Sequence, residues 1–133
     1  MTVGQFVFML HSHLPYYRKA GMWPFGEENL YECMAETYVP LLNAISELYD
    51  DEGIKAKLTV GITPILAEQL NDEHLQNGFI EYLDARITAI SKDLERYPDP
   101  EVAHSQHLKY LAKYYFDWFN HIKDSFINKY NKD

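Results

Sequence analysis

Gln5-Phe6-Val7-Phe8-Met9-Leu10-His11-Ser12-His13-Leu14-Pro15-Tyr16 is the stretch on which the fold turns. From Gln5 to His11 it is almost continuously apolar and rich in Phe and Val. That composition suits a strand buried on both faces, as in a parallel sheet. Strand residues alternate faces, so Val7, Met9 and His11 share one side and Phe6, Phe8 and Leu10 the other. His13 joins the His11 side if the chain stays extended up to the break at Pro15. In a β/α barrel the C-terminal ends of the strands carry the active site. Imidazoles placed there can donate hydrogen bonds, bind a metal or shuttle protons. On spacing alone, so short a motif reads first as two polar residues that end a strand.

Working outward, Tyr16 to Gly26 reads as a loop, punctuated by Gly21, Pro24 and Gly26. It also carries Tyr16, Tyr17, Trp23 and Phe25, an aromatic content unusual for a solvated connection. From Glu27 to about Leu48 the pattern is helical, with Leu30, Met34, Leu41, Ile45 and Leu48 near one stripe. Glu27, Glu28 and Glu32 stand near its start, where the helix dipole favours anions. Pro40 should kink this helix or split it near Tyr38. After Gly53, Lys57 to Ile62 reads as a second short strand, ended by Thr63 and Pro64, and Ile65 to Leu70 as a helical turn. Strand, loop, helix, strand, helix is the order of a β/α protein with parallel strands.

Leu75, Phe79, Leu83, Ile87, Ile90 and Leu94 then mark a long helix, with Asp72 as N-cap and Pro98 as stop. Asp99 as cap and Pro100 in the first turn open another, striped by Leu108, Leu111, Tyr115, Trp118, Ile122 and Phe126. Two short strands are marginal by themselves, and a parallel sheet needs further strands and helices on both faces. The predicted fold class is therefore α/β: two short parallel strands with about four helices, the front of a larger sheet whose other strands follow Asp133. The plainer alternative is a helical domain in which the apolar runs are buried connectors.

Composition narrows the partners. The net charge of −8, with no basic run, disfavours nucleic acid and anionic membrane surfaces, and neutral substrates fit better. No stretch is long enough to span a bilayer, and Phe6 to Leu10 is too short and lacks the basic start of a signal peptide. Cys33 is the single cysteine, which excludes an intramolecular disulfide and a cysteine-based zinc site and leaves a buried, inert thiol in a helix. The default setting is cytoplasmic.

A glycosidase needs two carboxylates flanking the scissile bond. Glu27 and Glu28 lie nearest the histidine motif, but acids are commonplace at a helix start; Glu36 and Glu68 lie inside helical patterns. His74, His104, His107 and His121 all fall on predicted helices without a metal-ligand spacing to a carboxylate, and His104 and His107 read as solvent-facing. No Ser-His-Asp order, phosphate loop or dinucleotide fingerprint is present.

A resemblance then enters on five blocks, collinear along the chain. His11-Ser12-His13-Leu14-Pro15-Tyr16, Gly21-Met22-Trp23-Pro24-Phe25-Gly26-Glu27-Glu28, Leu30-Tyr31-Glu32, and Ala35-Glu36-Thr37-Tyr38 through Pro40-Leu41-Leu42 resemble the start of the glycoside hydrolase family 57 α-glucan branching enzymes. Leu58-Thr59-Val60-Gly61-Ile62-Thr63-Pro64-Ile65-Leu66, with Glu68-Gln69-Leu70, looks like their second strand and the helix after it. The resemblance implies residues 1–133 of an incomplete (β/α)7 barrel, cut off before the catalytic carboxylates. It implies a retaining enzyme on α-1,4-glucan with no metal or other cofactor, a Glu nucleophile and an Asp acid/base, both beyond this chain. The chain alone is then not expected to catalyse glycosyl transfer, and its partners are a glycogen-like glucan and the remaining C-terminal part of the same enzyme. By the same resemblance His11 and His13 line the subsite of the reacting glucose, and Trp23 is a sugar-contacting aromatic in the loop beside it. Imidazole can hydrogen-bond hydroxyls, and indole offers an apolar face with an N–H at its edge.

Three alternatives stay open. One is an α-amylase or 4-α-glucanotransferase of the same family. Another is a stand-alone glucan-binding or interaction module. In the third, His11 and His13 are zinc ligands. A partial barrel should also leave apolar strand edges and helix faces uncovered.

Overall fold

The computed structural model describes residues 3–97 and 103–130, except for the side chains of residues 103 and 104. The chain divides into two compact units, Met1–Gln76 and Asn77–Asp133. The expected stop at Pro98 and the cap at Asp99 and Pro100 lie outside the described residues.

The first unit contains strand β1 (Met9–Ser12), helices α1 (Glu27–Cys33) and α2 (Val39–Glu52), strand β2 (Thr59–Ile62) and helix α3 (Pro64–Leu70). β1 and β2 run parallel, with Met9, Leu10, His11 and Ser12 opposite Thr59, Val60, Gly61 and Ile62. Helix α4 (Glu73–Arg96) follows, and α5 (Ala103–Ser125) ends in a π-helical turn, Phe126–Tyr130. The α/β reading therefore holds: two parallel strands and a majority of helix.

Pro40 has the predicted consequence. It lacks an N–H for the helical ladder, and the chain meets it with a π-helical turn, Met34–Tyr38, joining α1 to α2. At the far end of α2, Gly53 adopts a left-handed conformation with φ 66°. The N–H of Ile54 then reaches back to the Leu48 carbonyl at 2.9 Å, and that of Gly53 to Tyr49 at 3.1 Å. This is the glycine-terminated helix end in which the last carbonyls find donors.

The strand prediction needs two corrections. The regular strand is shorter than Gln5–His11, and it is not buried on both faces. Phe6 is 89% exposed, and Val7, Phe8 and Met9 are exposed too. The apolar run has the composition of a covered strand, but among the described residues only one strand pairs with it. Leu10, Ser12, Val60 and Ile62 share one face of the sheet by register and alternation. Ser12, Val60 and Ile62 line an apolar cleft of ≈ 230 Å³ with Tyr38, Leu41, Leu42, Ile45, Leu66 and Leu70. The opposite face carries Met9, His11, Thr59 and Gly61.

The apolar stripe of α1 and α2 is buried at its start and open at its end. Leu30, Tyr31, Met34, Ala35 and Val39 are inaccessible or nearly so, Leu41 and Ile45 are half-buried, and Leu48 is exposed. Cys33 is half-buried rather than buried; burial, with Glu32 and Glu36 nearby, pushes its thiol pKa up, away from reactivity.

In the second unit α4 and α5 pack as an antiparallel pair. The Phe79 and Phe126 rings meet edge to face at 4.9 Å, and Lys123 Nζ donates to Asp84 at 2.5 Å. Phe79, Leu83 and Ile122 are fully buried, with Tyr82, Phe119 and Phe126 nearly so. Ile87, Ile90, Leu94, Leu108 and Leu111 are only half-buried, and Tyr115 is exposed. No described helix is long and apolar enough to cross a membrane.

Candidate functional site

His11 stands near the C-terminal end of β1, on the sheet face opposite the apolar cleft. Its strand neighbour is Gly61, and a Cβ added there would approach His11 Nδ1 to 3.3 Å. Glycine at this register thus leaves room for the imidazole to lie against β2. Ser12, on the other face, hydrogen-bonds the Tyr38 hydroxyl; burial raises the Tyr38 pKa, and the Ser12 bond offsets part of that. His13 lies just past the strand and is exposed, as is His11.

The aromatic loop follows. Tyr16, Trp23 and Phe25 are exposed, Trp23 at 78%. An aromatic loop displayed to solvent has an unburied apolar face to offer a ligand. Its closing turn is tight. The N–H of Glu27 donates to the Gly21 carbonyl at 2.8 Å and that of Asn29 to Gly26 at 3.1 Å. A Cβ on Gly26 would sit 2.0 Å from the Gly21 carbonyl oxygen, so no other residue fits this position without moving the backbone.

Glu27 is one of the acids weighed for catalysis, and the structure gives it another employment. It is only 6% exposed. Its Oε1 accepts from the Lys19 backbone N–H at 2.6 Å and from His74 Nε2 at 2.9 Å, and its Oε2 from the Tyr31 hydroxyl at 3.1 Å. Burial alone would raise its pKa, but these donors outweigh burial and hold the carboxyl below the ordinary carboxylate range. A carboxylate so fully engaged closes the loop rather than attacking a substrate.

Two further contacts hold the loop, and neither was singled out from the sequence. Gln69 accepts from the Tyr17 N–H at 2.6 Å and donates to the Pro15 carbonyl at 3.0 Å. Asp72 accepts from Arg18 Nε at 2.5 Å while capping α4 through the Leu75 N–H at 3.2 Å. The cap is the one expected for Asp72; the grip on Arg18 comes with it. Gln69 looked like an ordinary polar residue within a helical pattern, and its partners lie more than fifty residues upstream. Its presence in the Glu68-Gln69-Leu70 block was the one available signal.

Among the described residues no group of three His, Cys, Asp or Glu side chains is gathered as a metal would require. His107 is exposed, and the His104 side chain lies outside the described residues.

The family model for glycosyl hydrolase family 57 matches residues 7–132. The chain belongs to glycosyl hydrolase family 57. It is 42% identical over 126 residues to the 1,4-alpha-glucan branching enzyme TK1436 of Thermococcus kodakarensis, a match covering 95% of this chain and 18% of that protein. The crystal structure of TK1436 in complex with glucose superposes with a TM-score of 0.79 at 36% identity, over 91% of this chain and 20% of that one. The GH57-type branching enzyme of Pyrococcus horikoshii superposes at 0.81 and 36% identity, over 91% and 22% of the two chains. The alpha-amylase AmyC of Thermotoga maritima does so at 0.75 and 31% identity, over 91% and 22%. This family 57 chain therefore spans about a fifth of the length of the relatives it matches and shares the fold of that part of them.

Proposed function

We propose that this chain is the N-terminal part of an α-glucan-acting enzyme that forms α-1,6 branches by retaining double displacement. The observation that carries the reading is the bare face of β1. His11 stands there near the strand's C-terminal end, and an exposed aromatic loop follows it in the chain. Within this reading His11 and His13 bind hydroxyls of the reacting glucose, and Trp23 supplies an apolar platform to a sugar ring. A Glu nucleophile and an Asp acid/base from the remaining part of the enzyme would complete the site. The glucosyl-enzyme would then be intercepted by a glucan 6-hydroxyl, and exclusion of water would separate branching from hydrolysis. Tyr16, Tyr17, Trp23 and Phe25 are the residues here suited to that exclusion. The reading includes glycogen-like glucan as substrate, a cytoplasmic setting and no metal.

The experiment is to extend the native coding sequence past Asp133, express the product and incubate it with amylose. Branching predicts new α-1,6 anomeric signals by proton NMR, and a Trp23→Ala variant with weaker glucan affinity and a higher ratio of hydrolysis to transfer. Reducing ends without α-1,6 linkages would move the reading to the amylase branch of the family, which the likeness to AmyC keeps in play. An unchanged product ratio and affinity in Trp23→Ala would remove Trp23 from the sugar site.

A further inference from the structure

The loop between His13 and Gly26 carries the aromatic residues, yet its backbone makes few regular bonds. Pro15 has no N–H to give, and Lys19 and Phe25 hold left-handed φ values of 62° and 63° without being glycine. Such a segment stays in one conformation only if something outside it over-determines the path. The tethers come from one short corner, between the end of α3 and the first turn of α4. Gln69 holds Pro15 and Tyr17, Asp72 holds Arg18, and His74 holds Glu27, which in turn holds the Lys19 N–H.

We propose that this corner, Gln69 foremost, is the positioning element of the glucan site: it touches no sugar and fixes the loop that does. The inference rests on the glucan reading of Trp23 for its consequence, but not for its geometry.

Gln69 is suited to the task by chemistry as well as place. It is 1% exposed, so no water can stand in for a lost partner. Its amide oxygen takes the Tyr17 N–H, while its amide nitrogen gives to the Pro15 carbonyl and, at 3.3 Å, to its own helix at Ile65. One side chain thereby offers the Pro15 carbonyl and the Tyr17 N–H the donor and acceptor that a neighbouring strand would supply. Only a group that both donates and accepts can do so. A carboxylate of the same shape would face two carbonyl oxygens with no proton to offer.

The test labels the chain with fluorotryptophan. Its two tryptophans, Trp23 and Trp118, fall in different compact units, and a Trp118→Phe variant assigns the signals. In Gln69→Glu the Trp23 fluorine signal should move toward that of a free indole, while the Trp118 signal stays in place and reports an intact fold. In the extended enzyme the same substitution should raise KM for amylose about tenfold with kcat within about twofold. Gln69→Asn, a shorter amide, should recover part of the loss. Arg18→Gln, at a half-exposed position, repeats the test without touching the core and should shift Trp23 less, with KM up about threefold. A Trp23 signal unmoved in both Gln69→Glu and Arg18→Gln would overturn the proposal. A displaced Trp23 with unchanged KM would leave the positioning intact and overturn the sugar contact instead.

Discussion

The aromatic loop and the α4–α5 pair hold themselves together by opposite means. In the pair, the work falls to apolar side chains: Phe79, Leu83 and Ile122 fully buried, with Phe126 against Phe79. Such contacts are non-directional and scale with the area removed from water. In the loop, it falls to polar groups whose bonds need a donor or acceptor in a fixed place, Glu27 on Lys19 and Gln69 on Pro15 and Tyr17. The difference teaches which changes each region should forgive. The pair should tolerate a different shape and punish lost volume. The loop should tolerate little change of atom type, even at constant shape.

The largest test of this contrast is on the pair. Phe79→Ala should cost about 4 kcal/mol, and Phe79→Leu only about 1 kcal/mol. Urea denaturation followed at Trp118 measures both, and equal losses would erase the contrast. Next comes Gly26→Ala. The added methyl meets the Gly21 carbonyl oxygen, and relieving that clash should cost about 3 kcal/mol in the loop's local stability. Amide exchange at Glu27 and Asn29 should quicken while that of α5 stays unchanged.

The smallest effect sharpens the electrostatic side. The Glu27 carboxyl is held below the ordinary range, so its contribution is complete above that range and is lost as pH falls from there through the lowered value. Acidification from about pH 6 to about pH 3 should therefore loosen the loop before the α4–α5 pair. Exchange at the Lys19 amide against the amides around Phe79 reads the order. Simultaneous loosening would mean that Glu27 carries no special share.

Much of the fold was legible because its signals are local. Thr63-Pro64 marked the end of β2, Asp72 the cap of α4, and Pro40 the break between α1 and α2, each within a few residues of its effect. Candidate site residues on a strand end were legible for the same reason, since alternation placed His11 from its neighbours alone. What escaped was set by distant partners. Phe6 and Phe8 have the composition of buried strand residues, yet burial depends on what lies beside them, and here they are open. Glu27 was readable as a helix-start acid, but its bond to His74 spans 47 residues. Gln69 was hidden most completely, because nothing in a helical repeat distinguishes a solvated amide from one that bonds a loop 54 positions earlier.

The π-helical turn at Met34–Tyr38 has a consequence for how one helix serves two audiences. With hydrogen bonds running from each residue to the fifth along, a π-helical turn holds about one residue more than an α-helical turn over nearly the same stretch of axis. Upstream of it, Leu30 and Tyr31 point into full burial; downstream, Leu41 and Ile45 are turned toward the strand face at Val60 and Ile62. Removing one residue between Met34 and Tyr38 would let that turn close to α-helical bonding with both halves still facing their targets, so the stretch acts as slack, a residue of chain taken up without changing the direction of either half.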